Sequence, residues 1–188
     1  MWPMSTGGDI IVEGKGDLAD QLNLLKQYRL TGERMILDVV RATQCVLATN
    51  VASDVRGSVH WLRLNRELFL LTGEVRYIDA IASACCGRRA AGDDAKRRFA
   101  KVADLTVTRN VDHALFVNFY PDATIEMDGV TFAISRENSS NGRVKVTTRS
   151  TLPRNLRFRI PGKGTEPSKY MNRCIKAGTD TIVLPFET

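Results

Sequence analysis

Apolar residues recur at three- and four-residue intervals through the first half of the chain and at two-residue intervals through the second. Leu18, Leu22 and Leu25 are spaced by 4 and 3. Ile36, Val39, Val40, Thr43 and Leu47 form a second stripe, and Trp61, Leu64, Leu68 and Leu71 a third. Each set falls on one side of a helix, so helices are expected over about residues 17–86. After about residue 105 alternation takes over. Segments 113–120, 124–127, 130–135, 143–147, 156–160 and 181–184 read as strands, with Asp128-Gly129 and Asn141-Gly142 as turns. Leu156-Arg157-Phe158-Arg159-Ile160 puts apolar residues on one face and arginines on the other. The pattern gives an α+β chain: helical hairpins over residues 1–104, then an antiparallel β-sandwich segment over 105–188. The joint falls around residues 87–101, where periodicity lapses in a charge cluster.

A repeat reinforces the hairpin reading. Leu30-Thr31-Gly32-Glu33 returns as Leu71-Thr72-Gly73-Glu74, with Thr31 and Thr72 standing 41 residues apart. Ile36-Leu37-Asp38 is echoed by Tyr77-Ile78-Asp79. A period near 40 residues with helical spacing describes one helix–turn–helix unit used twice. In each copy the Thr-Gly pair ends one helix, and Glu opens the next, where its charge suits the helix dipole.

Composition narrows the class. At 188 residues, 43% apolar and 26% charged, the chain matches globular rather than disordered or fibrous proteins. No apolar run approaches the roughly 20 residues of a membrane span. The first nine residues lack a basic segment followed by an apolar one, so a cytoplasmic location is expected. The net charge of +6 divides as 15 basic against 13 acidic residues before position 105 and 12 against 8 after it. That spread permits nucleic-acid contact without implying it. Lys96-Arg97-Arg98 reads as a solvated linker face, and Gly162-Lys163-Gly164-Thr165 as a plain turn rather than a phosphate loop. His60 and His113 are too isolated to suggest a role. Four cysteines, Cys45, Cys85, Cys86 and Cys174, are too few for a disulfide scaffold and are expected to be reduced.

The segment Trp61-Leu62-Arg63-Leu64-Asn65-Arg66-Glu67-Leu68, continued through Thr72-Gly73-Glu74 and Tyr77-Ile78-Asp79-Ala80, resembles a barrel hairpin of the bacterial β-L-arabinofuranosidase glycoside hydrolases. Ala114-Leu115-Phe116-Val117-Asn118-Phe119-Tyr120 is similar to that family's first sandwich strand. Asn141-Gly142-Arg143-Val144, the 156–162 segment and Lys176-Ala177-Gly178-Thr179-Asp180-Thr181 follow in the family's order. The resemblance implies an α/α barrel, of which the helical hairpins here would be a piece, followed by a β-sandwich. It also implies retaining hydrolysis by a cysteine nucleophile held on zinc, since a metal keeps a thiol deprotonated. Cys85 then stands at the nucleophile and Cys86 at a zinc ligand. The family's Glu-x-Cys ligands fall on Asp54 and Arg56; Asp54 retains metal-binding chemistry and Arg56 does not. The segment that carries the family's acid/base glutamate has no counterpart here. The residues themselves also allow a simpler reading of Cys85, which shares a helix face with Ile78 and Ile81 as a small buried hydrophobe.

The expected function is therefore that of a β-L-arabinofuranosidase-like glycoside hydrolase with an incomplete catalytic set. Zinc is implied by the family, while the donors present argue for no cofactor. The alternatives are a non-catalytic glycan- or protein-binding remnant, or a basic module of a ribonucleoprotein assembly. Carbohydrate is the partner the resemblance implies. Self-association or another protein is expected from the unpaired apolar helix stripes, nucleic acid stays open, and no membrane partner is expected.

Overall fold

The computed structural model describes residues 16–50, 59–86, 103–110, 113–137, 142–162 and 166–185. The expected joint at 87–101, Lys96-Arg97-Arg98 and Lys163-Gly164-Thr165 lie outside them. The chain divides into two compact units, Met1–Leu64 and Asn65–Thr188. Among the described residues no helix is long and apolar enough to cross a membrane.

Helices α1 (Gly16–Thr31), α2 (Arg34–Asn50), α3 (Val59–Thr72) and α4 (Val75–Cys86) occupy the range that the periodicity predicts. In the first unit α1 and α2 pack together, burying Leu18, Leu22, Leu25, Val40 and Leu47. Val39 departs from its expected stripe: it is 48% exposed, and Gln44 is buried in the same helix instead.

The repeated turn is a repeated structure, bond for bond. Gly32 N–H donates to Tyr28 O and Gly73 N–H to Phe69 O, each at 2.7 Å. The Thr31 hydroxyl donates to Gln27 O and the Thr72 hydroxyl to Leu68 O, at 3.0 and 2.8 Å. Each threonine oxygen then accepts the N–H of the following Glu33 or Glu74. Both glycines hold the left-handed conformation, φ +71° and +69°, which glycine enters without a Cβ penalty. Glu33 and Glu74 sit one residue before α2 and α4, in the capping position rather than inside the first turn.

The second unit carries the sandwich. A 3-10 turn (Ala103–Leu105) leads into β1 (Val107–Arg109), β2 (Leu115–Val117), β3 (Ala123–Met127), β4 (Val130–Glu137), β5 (Arg143–Ser150), β6 (Arg154–Ile160), β7 (Lys169–Ile175) and β8 (Gly178–Pro185). The strands form two sheets, ordered β1-β2-β6-β7 and β3-β4-β5-β8. Their inner faces share one core, in which Leu115, Val117, Leu156 and Phe158 from the first sheet join Phe132, Ile134, Val146 and Leu184 from the second. The register keeps apolar residues opposite one another, as with Ile134↔Val146 and Val146↔Ile182.

The antiparallel expectation needs one correction. β2 and β6 pair in parallel, Leu115↔Leu156 through Val117↔Phe158. Between them the chain crosses to the other sheet for β3, β4 and β5, so no tight hairpin imposes an antiparallel direction.

The outer face of the β1-β2-β6-β7 sheet is covered within this unit by residues of α3 and α4. Phe69 meets Phe116 edge-on, ring centroids 5.4 Å apart, and Tyr170 meets Phe116 at 4.9 Å. The tip of the α3–α4 hairpin is close to the same place. A Cβ on Gly73 would lie 2.9 Å from Asn110 Nδ2 and 3.4 Å from Phe116 Cζ.

Candidate functional site

Cys85 lies near the end of α4 and is 1% exposed, on the face that also buries Ile78 and Ile81. Cys86 ends the helix, and its side chain lies outside the described residues, as do Asp54 and Arg56. Cys45 and Cys174 are exposed free thiols distant in sequence from either. Among the described residues no three His, Cys, Asp or Glu side chains come together as metal donors. Of the residues that the resemblance places at a zinc centre, the described structure therefore shows the side chain of Cys85 alone.

What α4 does bring to the sheet is Asp79. Its Oδ1 accepts from Arg159 Nε and Nη2, at 3.1 and 2.7 Å, and its Oδ2 accepts from Ser168 N–H at 3.1 Å. Arg159 is 8% exposed despite its charge, and one carboxylate satisfies both its fork and a loop amide. Around this pair, Arg159 O accepts from the Tyr120 hydroxyl at 2.7 Å. The Tyr170 hydroxyl donates to Asn118 Oδ1, whose amide in turn donates to Leu105 O and Thr108 Oγ1. Burial pushes the Tyr120 and Tyr170 hydroxyls above the ordinary tyrosine range, against the opposing field of Arg159. The side chains of this network bond chiefly to one another and to the backbone. It is a clamp that fixes helix to sheet.

An open cleft lies at the end of the same sheet, where β6 and β7 begin and end beside the β1–β2 turn. Its volume is about 630 Å³, and His113, Asp128, Arg154, Arg157, Asn172 and Arg173 are among the side chains that line it. The parallel β2–β6 register puts Arg157 beside Phe116, and the β6–β7 register sets Asn172 directly opposite Arg157. The Arg157 guanidinium lies over the Phe116 ring, 5.0 Å from its centroid. His113 holds a positive φ of 59°, and its N–H donates to Asn110 O at 3.0 Å. This tight turn brings the imidazole to the cleft, a placement that nothing in the local sequence signals. Asp128, also at positive φ, faces Arg109 at 3.3 Å, and its carbonyl accepts from Arg154 Nη2.

No family model matches the sequence, and no curated protein matches it. A solved structure does resemble the chain. It is the crystal structure of a GH127 β-L-arabinofuranosidase from Geobacillus stearothermophilus T6, at 18% identity and a TM-score of 0.46. The similarity covers 68% of this chain and 30% of that one, so the chain spans less than a third of the enzyme.

Proposed function

We propose that this chain is a non-hydrolytic, carbohydrate-binding relative of the β-L-arabinofuranosidases, its hairpins corresponding to a piece of an α/α barrel. The observation that carries this reading is the cleft of about 630 Å³ on the sandwich. That volume falls in the range of small-ligand sites, roughly 300–1,000 Å³. Planar amide and guanidinium groups converge there, the donor chemistry that hydroxyl-rich ligands require. Burial of Cys85 supports the non-hydrolytic half. Retaining hydrolysis needs a nucleophile at the sugar and a second group to protonate the leaving oxygen. A thiol 1% exposed on an apolar face is closed to an anomeric carbon unless α4 moves.

Elemental analysis, hydrolysis of an aryl β-L-arabinofuranoside and calorimetric titration with oligosaccharides test the proposal together. The expected result is no stoichiometric zinc, no turnover, no effect of Cys85→Ser on that outcome, and saccharide binding that survives the substitution. One zinc per chain with activity abolished by Cys85→Ser would overturn it.

Self-association is a second element of the proposal, supported by a specific exposure. Met35, Val39 and Val46 lie on one side of α2 and are 68%, 48% and 48% exposed, an apolar strip that water disfavours.

A further inference from the structure

We infer that the cleft takes a sugar bearing an oxyanion, a carboxylate or a phosphate, and that Arg157 receives the charge. The inference rests on the binding reading above and specifies its ligand class. Arg157 differs from most arginines of its surroundings: Arg154, which is exposed, donates to a backbone carbonyl, and the others hold carboxylates. Arg109 is paired with Asp128, Arg159 with Asp79, Arg173 with Asp180 and Arg66 with Asp104. Among the described residues, Arg157 has no carboxylate within ion-pair distance, although it is half-buried.

Its position is nevertheless well defined. The guanidinium plane rests on Phe116, and Phe116 is held from two sides by Phe69 and Tyr170. A guanidinium fixed by stacking presents its N–H fork with little further ordering, the arrangement suited to bidentate contact with a carboxylate or phosphate. Arg154 and Arg173 add positive field at the rim, and the cleft's carboxylate, Asp128, is already engaged by Arg109. Asn172, opposite Arg157, and Asn155 on the same strand offer amides that both donate and accept, as sugar hydroxyls require. A bare anion would leave those amides unused, and a neutral sugar would leave Arg157 without its counter-charge.

Calorimetry on the full chain with D-glucuronate, glucose 1-phosphate and neutral glucose tests this. Both anionic sugars, or one of them, should bind at least about tenfold more tightly than glucose, the discrimination expected of a charge-assisted contact. A preference between the two identifies the oxyanion. Arg157→Gln should bring the affinity for the anionic sugars down to that for glucose measured on the same variant, and Arg157→Lys should restore only part of the discrimination. If Arg157→Gln fails to fold, amide NMR of the wild-type chain decides, through shifts of the Asn155 and Asn172 side-chain signals on adding the anionic sugar. Equal affinity for glucose and the acids would overturn this inference and leave the binding reading intact. No binding by any saccharide would overturn both. Binding of RNA or heparin without any monosaccharide acid would overturn it too, marking the cleft as a general polyanion surface.

Discussion

Gly32 and Gly73 occupy the same place in two copies of one motif, with the same hydrogen bonds and φ values within a few degrees, yet their surroundings differ. Nothing lies within 4 Å of a Cβ built on Gly32, whereas one on Gly73 meets Asn110 Nδ2 at 2.9 Å and Phe116 at 3.4 Å. Gly32→Ala should therefore carry only the conformational cost. A left-handed alanine costs about 1–2 kcal/mol, offset by the roughly 0.4–1 kcal/mol gained from a less flexible unfolded chain. The net loss should be about 1 kcal/mol. Gly73→Ala carries that cost and an overpacking cost of about 1–3 kcal/mol besides, because Asn110 and Phe116 are both buried. Its total should reach about 2–4 kcal/mol.

Asparagine separates the two contributions, since it tolerates the left-handed conformation and still adds a Cβ. Gly32→Asn should be close to neutral, while Gly73→Asn should retain most of the clash. Urea denaturation followed by circular dichroism measures all four variants. With a slope of about 1–3 kcal/mol per molar urea, a 2 kcal/mol loss moves the midpoint by about 1 M or more. Equal losses at the two glycines would refute the reasoning, because they would mean that Asn110 and Phe116 yield freely to the hairpin tip.

Asp79→Asn should destabilise the sandwich unit by about 2–4 kcal/mol, somewhat less than for a fully buried pair because the Asp79 side chain is 27% exposed. Replacing both partners, as Asp79→Leu with Arg159→Met, should recover most of that loss in the same denaturation assay; no recovery would show that the pair is not the source. For Tyr120 and Tyr170 the folded-state pKa lies above the unfolded value, so their contribution is complete below the unfolded value, about 10, and is lost as pH rises through the folded one. Absorbance titration at alkaline pH should show both ionising only with unfolding, and smooth ionisation of all four tyrosines near pH 10 in the folded chain would contradict it. If α2 carries the self-association surface, light scattering should find a concentration-dependent mass that Val39→Asp abolishes, and a wild-type monomer at every concentration would exclude it.

The elements were legible where burial repeats in register with the backbone. Leu18, Leu22 and Leu25 are all buried, as are Val130, Phe132 and Ile134, and spacing alone locates them. β7 was not legible. Of its residues only Ile175 is fully buried, and its exposed positions follow no alternation, because the strand forms one edge of its sheet. β1, three residues long, is too short for a period to register. His113 reads as isolated along the chain. Its neighbours in the cleft come from β6 and β7, which reach it only through the parallel β2–β6 pairing.

Arg157 and Arg159 mark the limit most sharply. Alternation assigns them to one face of β6, and the pattern suggests that this face meets water. Both do share that face, but the face is covered, and they have opposite situations on it. Arg159 is buried against a carboxylate 80 residues earlier in the chain. Arg157, one pleat along, lies over an aromatic ring and opens onto a cleft. The pattern of hydrophobic and polar positions is identical for the two, because it records the pleat and not what packs across it. Only the long-range placement of Asp79 distinguishes Arg159, held by a carboxylate, from Arg157, stacked on an aromatic ring. A charged residue on a strand's outer face therefore acquires its role from what packs against it, and among the described residues that is α4 for Arg159 and the Phe116 ring for Arg157.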